Sequence, residues 1–159
     1  MITQIVATDE IKPIFREYLE TMSQFLDIVH YDSWCETALN NLQSYCGADD
    51  RHIFILKRSD LIIGFAMVNK HLRFNTQGFA MAEFYIQKPY EKKGYGRRLA
   101  EHVFASFPGN WEVAVALKNS SALAFWEQVV SSLKRDNTIK IKNPRFNGYG
   151  IVFNNGLAK

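Results

Sequence analysis

One stretch of this sequence carries residue types and spacings that could do chemistry. Glu83-Phe84-Tyr85-Ile86 has the makings of a strand, Gln87 to Lys93 is a short polar connection, and Gly94-Tyr95-Gly96-Arg97-Arg98-Leu99 opens a helix. Glycines at the mouth of a helix let backbone N–H groups come close to an anion, and the helix dipole adds favourable potential at that end. Lys92, Lys93, Arg97 and Arg98 stand against the single anion Glu91, so the local charge favours an anionic ligand as well. The pattern suits a phosphorylated molecule held by main-chain amides. It is not a Walker A loop, for want of GxxxxGK[ST], nor a complete dinucleotide fingerprint, for want of a third glycine. Taken alone, a Gly-x-Gly also marks ordinary turns, and a basic cluster an ordinary solvated face.

The elements that must hold this stretch follow from periodicity. Ile2 to Ala7 reads as a strand, and Ile11, Phe15, Leu19, Met22, Leu26 and Val29 recur at helical spacing, with Pro13 in the first turn. Ser33 with Glu36 forms a capping box for a second helix running to about Cys46. His52 to Leu56 and Leu61 to Val68 read as a hairpin turning at Arg58-Ser59-Asp60, and Phe79 to Ile86 adds a third antiparallel strand. Gly94 to Phe107 is helical, Trp111 to Leu117 is an apolar run interrupted by Glu112, and Asn119 caps a last helix through Leu133. Strands near Thr138 to Ile141 and Tyr149 to Phe153 close the chain. The unbroken run of Trp111 to Leu117 suits a strand covered on both faces, as parallel crossovers require. The layout is α/β, with a mixed, mostly antiparallel sheet of about six to seven strands and about four helices on its faces.

The 159 residues fit a single domain spanning 1–159, and 47% hydrophobic and 14% aromatic content supports a proper core. A net charge of +3 falls short of a dedicated nucleic-acid binder. Cys35 and Cys46 lack metal-ligand spacing and read as two buried free thiols, with no metal expected. No leader or membrane-spanning run is evident, so the expectation is a cytoplasmic protein without a membrane partner.

On these residues the sequence resembles the GNAT superfamily of acyl-CoA-dependent N-acetyltransferases. Glu91-Lys92-Lys93-Gly94-Tyr95-Gly96 is similar to that family's Arg/Gln-x-x-Gly-x-Gly/Ala signature, Ile63-Gly64-Phe65-Ala66 to its third strand, and Asn119-Ser120-Ser121-Ala122-Leu123-Ala124-Phe125-Trp126 to its Asn-x-x-Ala-x-x-Phe-Tyr segment. The resemblance implies acetyl-CoA as co-substrate, contacted by Tyr85, Ile86, Lys92, Lys93, Gly94, Tyr95, Gly96, Arg97, Arg98, Asn119, Phe125 and Trp126. It implies that the pantetheine arm lies between strands 79–86 and 111–117, with a backbone N–H near Ile86 facing the thioester. Two departures stand out: Glu91 replaces Arg or Gln, and Trp126 replaces a Tyr that protonates the leaving thiolate, a role closed to an indole N–H.

The reaction so implied is transfer of acetyl to a primary amine, borne by a small molecule or a peptide. An amine of pKa about 10.4 is protonated at neutral pH, so a base is needed. Glu83 is the first candidate; the alternative is that it points to solvent from an alternating strand. His30 is a second. Tyr149 or Tyr85 could donate the proton that Trp126 cannot, although a thiolate of pKa about 8.5 also leaves unassisted. His30, Tyr31 and Asp32, near Asp27 and Trp34, are the candidate acceptor site, with Arg145, Phe146 and Asn147 as the opposite wall. A solvated loop is the plainer explanation of the first cluster. Rival functions are a catalytically silent acyl-CoA-binding module and a nucleic-acid binder using Lys134, Arg135, Lys140, Lys142 and Arg145. A monomer or a homodimer is expected.

Overall fold

The computed structural model describes residues 1–133, 139–143 and 147–156. In chain order the elements are β1 (Ile2–Ile5), α1 (Lys12–Ser23), α2 (Tyr31–Gln43), β2 (His52–Arg58), β3 (Leu61–Asn69), β4 (Phe79–Ile86), α3 (Tyr95–Ser106), β5 (Asn110–Ala116), α4 (Ser120–Ser132), β6 (Ile139–Asn143) and β7 (Gly148–Asn154). Short 3-10 turns precede α1 at Asp9–Ile11 and follow β4 at Lys88–Tyr90. The strands form one seven-stranded sheet in the order β1-β2-β3-β4-β5-β7-β6. Every neighbouring pair is antiparallel except β4 and β5, which run parallel through the α3 crossover.

Alternation along the central strands builds two cores. Phe54, Leu56, Ala66, Val68, Met81 and Ile86 pack beneath α3 and α4 with Trp111 and Trp126. Ile53, Ile55, Phe65, Met67 and Tyr85 pack beneath α1 and α2. A strand buried on both faces loses its polar alternation, which is why β3 reads as a nearly continuous apolar run; β5 is apolar as well, although Ala114 is left exposed on the cavity side. Glu112 breaks the run in β5 and is nevertheless buried, at 3% exposure.

Several boundaries differ from the sequence expectation. Helix α1 stops at Ser23; Leu26 turns to line a cavity and Val29 is left 85% exposed, so the apolar spacing continues past the helix without a core to receive it. Helix α2 begins at Tyr31 with extended His30 as its N-cap, so Ser33 and Glu36 are inside the helix and form no capping box. Trp34 must already be helical there to pack, with Ala38 and Leu42, against the α1 side of the sheet. The two cysteines are free and half-buried rather than buried. Asn119 caps α4 as expected, its Oδ1 accepting from the Ala122 N–H at 3.1 Å. The expected strand start at Thr138 lies outside the described residues.

Candidate active site

The Gly-rich stretch closes the C-terminal end of β4. Gly94 takes φ +83° as the N-cap of α3, a conformation that L side chains rarely adopt, and a Cβ there would project into open space. The first N–H groups of α3 have no partner within the helix, and at Gly94 no side chain obstructs their approach to an anion. Gly96 serves packing instead: a Cβ would lie 3.2 Å from the Phe125 ring of α4 and 3.4 Å from Ile86 Cγ1. The mouth of α3, the end of β4 and the face of α4 thus converge.

The surrounding charges are exposed. Lys93 Nζ donates to the Pro89 carbonyl at 2.8 Å and lies 6.0 Å from the Tyr90 ring centroid, and Arg97 pairs with Glu101 at 2.7 Å. Glu91 is exposed. The residues present fit a diphosphate: an open glycine, a helix N-terminus and four cations that solvent can reach.

Strands β4 and β5 part just beyond their start. They pair only from Phe79–Trp111 to Met81–Val113, and there β4 carries a bulge, because Val68 opposes Met81 while Met67 opposes Glu83 and leaves Ala82 over. A bulge bends its strand and is a common device for re-aiming a side chain. The Gln87 N–H donates to the Ile63 carbonyl at 2.9 Å, so antiparallel alternation turns Tyr85 and Glu83 backbone groups toward β3 and those of Phe84 and Ile86 toward the gap.

On the α1 and α2 face this gap meets a cavity of about 1000 Å³, lined by Tyr18, Trp34, Tyr45, Glu83, Ala114 and Ala116 among others. Glu83 sits deep within it. Burial pushes the carboxyl from an ordinary 4.5 up to about 7, against the lowering effect of the hydrogen bond donated by the Tyr18 hydroxyl and of the Arg73 charge. A carboxyl poised near neutrality and facing a cavity is suited to accepting a proton. Next to it the Tyr85 hydroxyl donates to Glu17 at 2.8 Å and Gln87 Nε2 donates to the same carboxylate at 2.9 Å. Burial also raises Tyr85 to about 12, which makes it a poor proton donor to a thiolate.

A further carboxylate shapes the cavity and was visible in the sequence only as a blemish in an apolar strand. Glu112 accepts the backbone N–H groups of Arg73, Phe74 and Asn75 at 2.5–3.1 Å, and Asn75 Nδ2 reaches the Trp111 carbonyl at 3.3 Å. The segment between β3 and β4 is thereby strapped across β5, with the Phe74 ring over Gly150. No local rule reveals a partner nearly forty residues away; a buried charge that must be satisfied was the available signal.

The other expected site residues scatter. Trp126 is 5% exposed and packs in the α3/α4 core, its ring against Phe84 at 4.8 Å and Phe125 at 4.9 Å. Tyr149 faces the same side as Ile151 and Phe153, opposite to Glu83, with Lys140 Nζ 5.4 Å from its ring centroid. Tyr31 and Asp32 line a separate groove on the outer side of α1 and α2, and exposed His30 precedes it. Trp34, Thr37, Ala38 and Asn41 face the cavity, and Asp32, Cys35 and Glu36 are out of helical phase with them; Tyr31 stands at the helix start with its ring centroid 6.0 Å from that of Trp34. The structure does not bring His30, Tyr31 and Asp32 to the Glu83 cavity. Arg145 and Phe146 lie outside the described residues, as do Lys134 and Arg135; Lys140 pairs with Glu127 at 2.9 Å. Among the described residues no three His, Cys, Asp or Glu side chains cluster as a metal site, and no helix is long and apolar enough to cross a membrane.

Solved structures share this architecture. An acetyltransferase from Thermus thermophilus superposes with a TM-score of 0.69 at 15% identity, covering 97% of each chain. The PaiA N-acetyltransferase of Thermoplasma acidophilum, in complex with coenzyme A, gives 0.63 at 15% identity over 97% of this chain and 99% of that one. YncA from Salmonella typhimurium, with its cofactor acetyl-CoA, gives 0.61 at 12% identity over 100% and 96%. No curated relative matches the chain in sequence. Residues 11–130 match the Acetyltransferase (GNAT) family, and with the parted β4 and β5, the glycine-capped α3 and the seven-stranded sheet around them, the chain belongs to that family.

Proposed function

We propose that this protein transfers an acetyl group from acetyl-CoA to a primary amine, by direct attack of the amine on the thioester. The observation that carries the reading is the Glu83 carboxyl, held at about 7 in a cavity that opens on the gap between β4 and β5. Family membership and the coenzyme-bound neighbours support acetyl-CoA as the donor.

The amides at the start of α3, with Lys92, Lys93, Arg97 and Arg98, would hold the phosphates, and Phe125 and Ile86 would flank the arm. Acetyl-CoA supplies an acyl group activated as a thioester. The N–H groups of Phe84 and Ile86, turned to the gap, donate where negative charge develops on the carbonyl oxygen. Glu83 takes the proton of the incoming amine, directly or through water. With Trp126 in the core, Tyr85 held high and Tyr149 on the face of the sheet opposite Glu83, the thiolate, at a pKa of about 8.5, departs unassisted. Two free cysteines fit a reducing compartment, and the cytoplasm is the proposed location.

Thiol release from acetyl-CoA across a panel of primary amines, run beside calorimetry of coenzyme A binding, tests this. Turnover of at least one amine is expected. Tight binding with no turnover would leave a silent acyl-CoA-binding module, and absence of binding would overturn the site itself.

A further inference from the structure

We infer that the acceptor is a primary amine carrying an anionic group on an apolar stem, with the amine at Glu83 and the anion at Arg51 and His71. This rests on the acetyltransferase reading above and adds the class of substrate.

The charges lining the cavity are unequal in what they have left to offer. Arg51, Lys70 and Arg73 contribute cations, Glu83 and Glu112 carboxylates. Glu112 is committed to three main-chain donors of the strap, and Glu83 is half-protonated near neutrality. The cavity therefore presents a positive wall to any guest, which repels a polycationic acceptor and attracts an anionic one.

That wall is built rather than loose. One Arg51 nitrogen lies 2.9 Å from His71 Nε2, another donates to Ser44 Oγ, and the guanidinium carbon lies 5.8 Å from the Tyr45 ring centroid. The backbone N–H of His71 donates to Asn69 Oδ1 at 3.0 Å. Asp50, the carboxylate nearest to Arg51, is 3.8 Å away with its side chain 56% exposed, a loose pairing that an anionic guest can outcompete. A guanidinium held in place loses little freedom on taking a carboxylate or phosphate.

Sheet geometry sets the length of the guest. Glu83 opposes Met67 and Met67 opposes Ile53, while Arg51 lies two residues before Ile53 on the strand beyond. At about 4.8 Å between strands and 3.4 Å per residue, the two Cα positions are roughly 12 Å apart. Tyr18, Trp34, Tyr45 and Met67 fill the interval with apolar surface. An amine and an anion several bonds apart on a hydrocarbon or aromatic stem match this spacing.

Hexylamine, 6-aminohexanoate and 1,6-diaminohexane share a stem and differ in the far group. The expected order of kcat/KM is 6-aminohexanoate, then hexylamine, then the diamine, with about tenfold between the first and the last. Arg51→Gln should lower the ratio of 6-aminohexanoate to hexylamine by a similar factor, with Arg51→Lys intermediate. Should Arg51→Gln fail to fold, rising salt on the parent protein must shrink the same ratio. Equal use of the three amines, or a preference for the diamine, overturns the substrate class while leaving acetyl transfer intact. If none is turned over, calorimetry on the CoA-loaded protein decides: the same order in affinity supports the anionic ligand and sinks the transfer reading, and no order sinks the ligand class too.

Discussion

Replacing Glu83 by Gln perturbs catalysis and stability through the same ionisation. Burial raises this carboxyl from 4.5 to about 7, so the folded chain binds its proton more tightly than the unfolded chain does. Below about pH 4.5 both states are protonated and no penalty arises. Between 4.5 and 7 the unfolded chain gives up its proton first, and above about 7 the full penalty for burying the charge is present. At about 1.4 kcal/mol per pH unit that penalty reaches roughly 3 kcal/mol at pH 8. Gln is neutral throughout and still offers Tyr18 an acceptor oxygen, so Glu83→Gln should match the parent near pH 4.5 and exceed it in stability at pH 8. At about 2–4 °C per kcal/mol the gain is on the order of 10 °C in Tm. Turnover should move the other way. In the parent, kcat/KM rises with pH as Glu83 deprotonates around 7; the variant loses that limb and is slower by about 10²–10⁴. Thermal denaturation at pH 4.5 and pH 8, beside a pH–rate profile, reads both effects. A Tm difference independent of pH would refute the raised pKa, and an unaltered profile would refute the role as base.

Two other substitutions probe the scaffold around that carboxyl. Gly94→Val places a β-branched residue at φ +83° in open space, so strain of about 1–3 kcal/mol without a clash should leave the fold standing while coenzyme A binding is lost; calorimetry showing unchanged affinity would contradict the phosphate site. Glu112→Gln keeps one acceptor oxygen, which can serve Phe74 and Asn75, but turns its NH₂ toward the Arg73 N–H, and melting should report a loss of about 1–3 kcal/mol, with faster amide exchange at Arg73; parent-like exchange would show that the strap has another anchor.

Local rules made much of this protein legible from its residues alone. Periodicity marked β4 at Phe79–Ile86, and the helices of the second half were anticipated to within a residue or two, because Asn119 and Gly94 mark helix starts by their own chemistry. The order of elements and the glycine cap of α3 came from the same source. Where the sequence reading failed, it extended a pattern past its support. Leu26 and Val29 kept helical spacing after α1 had ended, and Ser33 and Glu36 copied a capping box inside a helix already begun at Tyr31.

The chemistry of the site was decided by contacts between residues far apart in the chain. As sequence, Glu83 is a carboxylate on an alternating strand, equally able to face water. The Ala82 bulge and the parting of β4 from β5 set it in a cavity where loss of water raises the carboxyl toward neutrality, and the Tyr18 hydroxyl, sixty-five positions away, opposes that rise. Glu112 has no partner within reach along the chain and acquires three in space. Tyr31 and Asp32 carry suitable groups but line a groove apart from the Glu83 cavity, a placement that depends on what Trp34 and Leu42 bury. Backbone preference is local and written residue by residue, whereas ionisation and cavity shape depend on which distant atoms exclude water, and only the folded chain brings those atoms together.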